Sequence, residues 1–300
     1  MFDRKSFLNR LLNVVWLTVL VIVGVYIYEY LHSVTGKIDE IDYLYISISI
    51  VTGVIFTLPA AWILMDYFDG FNIRHSLPVA IFLVFVPALG KYIPGKIWAL
   101  GSFVLYGKSI VNISAENALV FQIYFQLMSV VSTILLLLAG YVLGYKSMYS
   151  VEFLLITVII ILALFVIVTM LKKRVQNTGL KINTEKSFNH LLAFTLQKIL
   201  RGISLVIFIS AFIDIGDHWV VILFSFFAAM QVGVLAFFAP AGLGVTEGAY
   251  ILILSPVLGP EIAVLVAIIS RAWLTALDFI LAACGLACKR YYIEKFDKPA

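Results

Sequence analysis

Long apolar runs separated by short polar stretches dominate the chain. Uninterrupted runs occupy positions 43–65, 118–144, 151–171, about 196–213, 219–239 and about 262–288. Each is close to the roughly 20 residues that a helix needs to cross a bilayer. A further run at 11–28 follows Arg4, Lys5 and Arg10. It is too long for a secretion signal, and no small-x-small cleavage pattern follows it. It therefore reads as a retained first span. The pattern predicts an all-α polytopic membrane bundle of about eight spanning helices plus two broken or re-entrant helical elements.

The two interruptions are the most informative part of the pattern. Positions 77–88 and 97–106 are apolar but short, about 12 and 10 residues, hence roughly 18 and 15 Å of helix against a hydrocarbon core of ~30 Å. Between them, PALGKYIPGK at 87–96 breaks the run with two prolines, two glycines and two lysines. Freed backbone groups of this kind survive at membrane depth only beside protein or water. A second break, FFAPAGLGVTEG at 237–248, precedes a weakly helical piece at 249–258. Five segments fall before about Lys146 and five after, with a break beside the third and fourth of each half. An odd-membered unit repeated in one membrane faces opposite ways, which predicts an inverted repeat of residues 1–146 and 147–300 within one membrane domain, with a site where the broken elements meet.

Composition and charge sharpen this picture. The chain is 63% hydrophobic, 13% charged, and has a mean hydropathy of +1.06; 300 residues cannot bury that much apolar surface internally, so a water-soluble fold is excluded. The net charge of +4 comes from lysines and arginines in connectors and tails, not on one basic face, so no nucleic-acid partner is expected. The basic N-terminus, the cluster Lys172, Lys173, Arg174, Lys181 and Lys186, and the basic tail orient both termini to the cytoplasm of an inner membrane. Cys284 and Cys288 lie one turn apart and the four histidines are scattered, so neither a disulfide framework, a metal site nor a cofactor is expected.

The candidate site residues cluster at the breaks and in the last span. Helices starting near Gly95 and Val245 would aim partly positive N-terminal ends into the interior, where an anion is welcome. Lys91 and Lys96 add cations at the first break, unless they snorkel to an interface. Thr246 is a candidate N-cap at the second. Arg271 lies well inside the last span, where a charge costs about 2.5–3.5 kcal/mol, and so requires a partner. Glu247 and Asp278 are the two candidates for an intramembrane ion pair with it, with either a structural or a substrate-contacting role. Gln126, Gln231 and Arg201 are weaker candidates for bonds between helices. GKYIPGK has phosphate-loop spacing, but Ile97 replaces the required Ser or Thr and a proline interrupts the loop, so it is no nucleotide site.

GKYIPGKIW at 90–98, PAGLGVTEGAY at 240–250 and ISRAW at 269–273 together resemble the transmembrane region of the lysylphosphatidylglycerol synthase family, the flippase-like domain proteins. The resemblance spans nearly the whole chain in length and span order, with its motifs in about a tenth of it. It implies movement of a lipid headgroup between leaflets or service in envelope lipid and glycan assembly. The family's proline–glycine break, second-half glutamate and late-span arginine fall on Pro94, Gly95, Glu247 and Arg271. A downstream arginine of many members is replaced by Lys108. The aminoacyl-transfer domain that accompanies this region in lysyl-lipid synthases does not occur in these 300 residues, so lysyl-lipid synthesis is not expected. Lys91, Tyr92, Pro94, Gly95, Lys96, Trp98, Pro240, Gly242, Gly244, Thr246, Glu247 and Arg271 form the candidate substrate-binding set.

The leading expectation is translocation of an anionic phospholipid or a polyprenyl-phosphate-linked glycan, with membrane lipids and possible envelope-synthesis enzymes as partners. The rivals are a non-transporting accessory protein of envelope synthesis and, with less support, a membrane-embedded transferase. For the transferase, the acidic residues Asp39, Glu40 and Asp42 offer too small a surface constellation.

Overall fold

The computed structural model describes residues 41–70, 73, 75–93, 97–142, 184–236 and 239–296. The expected spans at 11–28 and 151–171, the basic residues 172–181, and Pro94, Gly95 and Lys96 lie outside the described residues. The described chain is an all-α membrane bundle. Its helices are α1 (Tyr43–Ile55), α2 (Pro59–Asp69), α3 (Leu77–Ala88), α4 (Ile97–Val111), α5 (Ala115–Val142), α6 (Thr184–Ser210), α7 (Trp219–Leu235), α8 (Val245–Leu258) and α9 (Pro260–Phe296). Six stretches among the described residues are long and apolar enough to cross a membrane, with α1 and α2 together forming one of them. Large aliphatic side chains such as Leu105, Val142 and Leu252 face outward, as lipid-facing positions require.

Local chemistry sets the helix ends. Asp42 caps α1, its Oδ1 accepting from the N–H groups of Leu44 and Tyr45 at 2.8 and 3.2 Å. Prolines open α2, α3 and α9, where the missing N–H would have no helical partner anyway. The α4–α5 corner is tighter than the sequence suggests. The region 107–117 reads as a connector, yet α4 runs on to Val111 and only Asn112 to Ser114 turn the chain. Asn112 takes φ 54°, and Ser114 Oγ accepts from the Asn117 N–H. α3 likewise continues through a 3₁₀ turn to Tyr92, giving the Leu77–Tyr92 element a reach of roughly 26 Å rather than 18. α6 starts at Thr184, a dozen residues before the apolar run begins at 196. Its first three turns carry Lys186 and His190, whose polarity hides them from a hydropathy window.

α9 is the centre of the bundle. It packs along α3 and α8 and also touches α6 and α1. Trp273 is fully buried and donates from Nε1 to Ser49 Oγ at 2.7 Å, while Ser49 donates to the Ser204 carbonyl at 2.6 Å. These bonds tie α9, α1 and α6 together by polar contacts, which help hold helices where apolar burial alone gives no preference over lipid. Trp273 belongs to an aliphatic and aromatic cluster built mainly on α6 through α9, a second cluster spans α2 through α5, and a small third joins Ala60, Phe85 and Leu281.

The order of elements recurs. In each half a long helical stretch is followed by an apolar helix running into a break, a short helix leaving it, and a long helix: 43–69, 77–92, 97–111 and 115–142, then 184–210, 219–235, 245–258 and 260–296. The 3₁₀ turn at Leu89–Tyr92 touches that at Pro240–Gly242, so the two breaks meet.

Gly90 makes the first break possible. A Cβ placed there would lie 2.4 Å from the Ala99 backbone nitrogen and 2.6 Å from its Cα. Backbone cannot yield as a side-chain tip does. Gly90→Ala is expected to force the 3₁₀ turn off α4 and to destabilise the protein by about 3 kcal/mol, at the upper end of overpacking costs. Thermal unfolding in detergent checks this; an unchanged transition would show that the two segments are not in contact.

Candidate functional site

The second break is held by an arginine that the sequence already marks. Arg271, buried on α9, donates from Nη1 to the Ala241 carbonyl at 3.0 Å and sets its Nε 3.5 Å from Glu247 Oε1. Glu247 in turn accepts from the Gly244 N–H at 2.7 Å through Oε2. The glutamate therefore does two jobs, closing the first turn of α8 and neutralising the arginine. α8 starts at Val245, where the sequence places a helix N-terminus, so the helical piece runs back into the 237–248 stretch from the 249–258 segment. Gly244, not Thr246, is the N-cap. Thr246 is buried against Gly233 and Gly242, whose absent Cβ atoms leave room for its Oγ1. Ala241 (φ 49°), Gly242 (φ 75°) and Gly244 (φ 78°) turn the backbone left-handed, and Pro240 opens this 3₁₀ turn.

Asp278 is not the partner of Arg271. Its Oδ2 is 2.6 Å from Lys91 Nζ and accepts from the Tyr92 hydroxyl at 2.7 Å. Tyr92 is buried and stacks on Phe279 with ring centroids 5.9 Å apart. The first break is thus fastened to α9 by its own carboxylate, as the second is fastened by Arg271. Lys91 is engaged by protein and does not simply reach a lipid phosphate. Trp98 is exposed at the start of α4.

Beside the first break lies a cavity of about 360 Å³ between α3, α5, α6, α7 and α9, within the range of ligand pockets. Lys91 and Asp278 sit on its wall. So do Lys198 and Arg201, three residues apart on one face of α6, as well as Gln231 and Gln197. Lys198 donates to the Ser129 carbonyl and to Thr133 Oγ1. The Thr133 hydroxyl in turn lies within donating distance of Gln231 Oε1, at 3.2 Å, and of the Ser129 carbonyl, at 3.1 Å. That leaves Gln231 Nε2 buried with no hydrogen-bond partner among the described residues, and the same holds for Arg201 Nε. The Arg201 guanidinium lies 5.9 Å from the Trp273 ring centroid. Phenylalanines from α3 through α7, among them Phe85, Phe125 and Phe226, form the apolar remainder of the wall.

Three basic side chains and one carboxylate therefore share a largely apolar chamber, and two of its lining residues carry a buried N–H without an acceptor among the described residues. An excess of buried positive charge is unfavourable unless something answers it, and buried donors without acceptors cost about 1–3 kcal/mol each. An anion in the chamber answers the charge. Of the candidate residues, the structure brings Lys91 and Tyr92 together with Asp278. It gathers Pro240, Gly242, Gly244, Thr246, Glu247 and Arg271 into the second break, next to the cavity wall but outside its lining. Lys198 was not singled out from the sequence, and Arg201, Gln126 and Gln231 ranked low there. Their legible signal is the repeated placement of long polar side chains inside otherwise apolar spans. Among the described residues no group of His, Cys, Asp or Glu is arranged to hold a metal ion.

No family model, curated protein or solved structure matches this chain.

The geometry assigns Arg271 and Glu247 to bracing the break. Arg271→Met is expected to cost about 3–5 kcal/mol of stability, because it leaves Glu247 buried without a counter-charge. The double variant Arg271→Met/Glu247→Gln should lose clearly less than the sum of the two single losses. Thermal unfolding of the four proteins in detergent measures this, and strict additivity would rule out the pair.

Proposed function

We propose that this multi-pass membrane protein binds the anionic headgroup of a membrane lipid in the α3–α5–α6–α7–α9 cavity and carries it across the bilayer. The observation that carries this reading is the surplus of Lys91, Lys198 and Arg201 over Asp278 around a mostly apolar chamber. Arginine supplies forked donors matched to a phosphate, and lysine a point charge. The phenylalanine-rich wall suits the hydrocarbon next to the headgroup. The resemblance of both break motifs and of ISRAW to flippase-like domains points the same way.

In this mechanism the ligand competes with protein groups already in place. A phosphate approaching Lys91 contends with Asp278 for the same ammonium, and its arrival weakens the fastening of the first break to α9. The break is then free to shift against α4, while Arg271 and Glu247 keep the second break fixed. One break serves as the moving part and the other as the fulcrum. Glutamines at the cavity, Gln122 and Gln126 on α5 as well as Gln197 and Gln231, add neutral hydrogen-bonding capacity beyond what a bare phosphate uses. This favours a headgroup with hydroxyl or amide groups beside its phosphate, such as a phosphoglycerol or a phospho-sugar.

The test is reconstitution in vesicles with fluorescent analogues of phosphatidylglycerol, phosphatidylcholine and a prenyl-phosphate-linked sugar. Accessibility to a membrane-impermeant quencher reports the movement. Wild type should accelerate movement of an anionic species over the zwitterionic one. Lys198→Met and Arg201→Gln should each slow it about tenfold or more, the equivalent of losing about 1.4 kcal/mol of headgroup interaction. Rates unchanged in both variants would reject the cavity as the site.

A further inference from the structure

A second polar cluster lies outside the cavity lining, where α2, α5 and α6 meet. Asp66 of α2 receives Lys186 Nζ on Oδ1 at 2.8 Å and His190 Nε2 on Oδ2 at 2.9 Å. The other imidazole nitrogen, Nδ1, is 2.7 Å from the Tyr124 hydroxyl of α5. The His190 side chain is only 3% exposed, whereas that of Lys186 is 44% exposed. The ring of Trp62, one turn before Asp66, meets the imidazole edge-on at 5.5 Å. Among the described residues, the ionisable groups around His190 are Asp66 and Tyr67 of α2, Tyr124 of α5 and Lys186 of α6.

This cluster has two satisfied states. With a neutral imidazole, Nε2–H donates to Asp66 and Nδ1 accepts from the Tyr124 hydroxyl, while Lys186 balances the carboxylate. With an imidazolium both nitrogens donate, the Tyr124 oxygen becomes an acceptor, and its proton turns toward Ser187, which neighbours it. Two cations would then share one carboxylate. Lys186, with its ammonium near water, is the one that can leave. Neither state strands a buried donor, so the site can hold or release a proton without unfolding its surroundings. Histidine is the side chain suited to such an exchange near neutral pH.

The cluster is also joined to the cavity. One turn beyond His190 on α6 lies Phe194, and the residue after Tyr124 on α5 is Phe125. These two rings meet edge-on at 4.6 Å, and both line the cavity. A shift of α6 against α5 when Tyr124 reverses its hydrogen bond would be felt first at this pair.

We propose that His190 and Asp66 form a proton-binding site at the edge of the cavity, and that proton uptake there accompanies capture of an anion in the cavity. Lodging an anion favours a nearby added positive charge, and by reciprocity the added proton favours the anion. A proton gradient could thereby drive headgroup movement. The proton site stands on the cluster geometry alone, whereas the coupling rests on the anionic-headgroup reading above.

Trp62 supplies the readout, because an imidazolium against an indole quenches its fluorescence and a neutral imidazole does so far less. The full-length protein in phosphatidylcholine nanodiscs is titrated from pH 5 to 8, and the Trp62→Phe spectrum is subtracted to remove the other tryptophans. Emission from Trp62 should fall on acidification. The transition should vanish in His190→Gln, whose amide can keep both hydrogen bonds. It should move to lower pH by about 1–3 units in Asp66→Asn and to higher pH in Lys186→Met. A pH-independent Trp62 signal in the folded wild type, or the same transition in His190→Gln, would overturn the proton site.

Coupling is read by repeating the titration in nanodiscs containing phosphatidylglycerol. The midpoint should rise more in wild type than in Lys198→Met/Arg201→Gln, both proteins feeling the same surface potential. Equal rises would overturn the coupling but leave the proton site standing. The headgroup reading itself is judged separately by the quencher assay in vesicles.

Discussion

A charged side chain inside an apolar bundle has to be answered from within the bundle, and the arrangement of this protein follows from how each of its interior cations is answered. Arg271 finds Glu247 and the Ala241 carbonyl; Lys91 finds Asp278. Both pairs join a broken segment to α9. Charge neutralisation and backbone satisfaction are therefore solved by the same contacts, since the groups freed by proline and glycine at the breaks need protein around them as much as the charges do. Lys198 and Arg201 differ. Among the described residues, Lys198 has neutral oxygens as its hydrogen-bond partners, and Arg201 lies over Trp273 with no carboxylate in ion-pair contact. The excess charge remains where the cavity is.

The two breaks look alike in sequence but are built differently. The second is locked through left-handed backbone at Ala241, Gly242 and Gly244, a glutamate that closes α8, and Thr246 wedged against Gly233. The first relies on the passage of Gly90 against α4 and on one carboxylate shared by Lys91 and Tyr92. A single competitor for Lys91 could loosen the first. Nothing comparable would release the second, whose charge pair is buried and whose turn carries its own hydrogen bonds.

The spans among the described residues were legible because hydropathy measures the property the bilayer selects, and the all-α class follows from the need to satisfy backbone groups within each segment. The breaks were legible from proline and glycine, and the need of Arg271 for a partner from the cost of its charge. Some helix ends were legible as well, among them the 77–88 bounds and the starts at 43, 97, 219 and Val245, whereas others were not. Asp66 and Gly107 look like connector residues, yet both are helical, because packing against neighbouring helices extends a helix through polar positions. The choice of Glu247 over Asp278 for Arg271 could not be made from spacing. Seven residues on one helix put Asp278 on the right face, but the Lys91 that claims it comes from a segment 187 positions away in the chain. Likewise, Lys198 gains its meaning only from α5 and α7, which close the space around it.

The mixed wall of the cavity argues for a ligand that is itself mixed. A site for a small soluble anion would gain little from phenylalanines on five helices, since such an ion has no apolar surface to bury against them. A site for an acyl or prenyl chain alone would be burdened by Lys198, Arg201 and the unpaired amide of Gln231, each of which binds water more readily than hydrocarbon. Only a molecule with an anionic, hydrogen-bonding end and an apolar continuation uses both kinds of surface at once. A headgroup still attached to its lipid, the ligand of the proposed function, has that composition. Under the proposed function, donors on the wall would have to replace the headgroup's water before the hydrocarbon is reached. Lys198, Thr133 and Gln231 form such a row, running from α6 through α5 to α7.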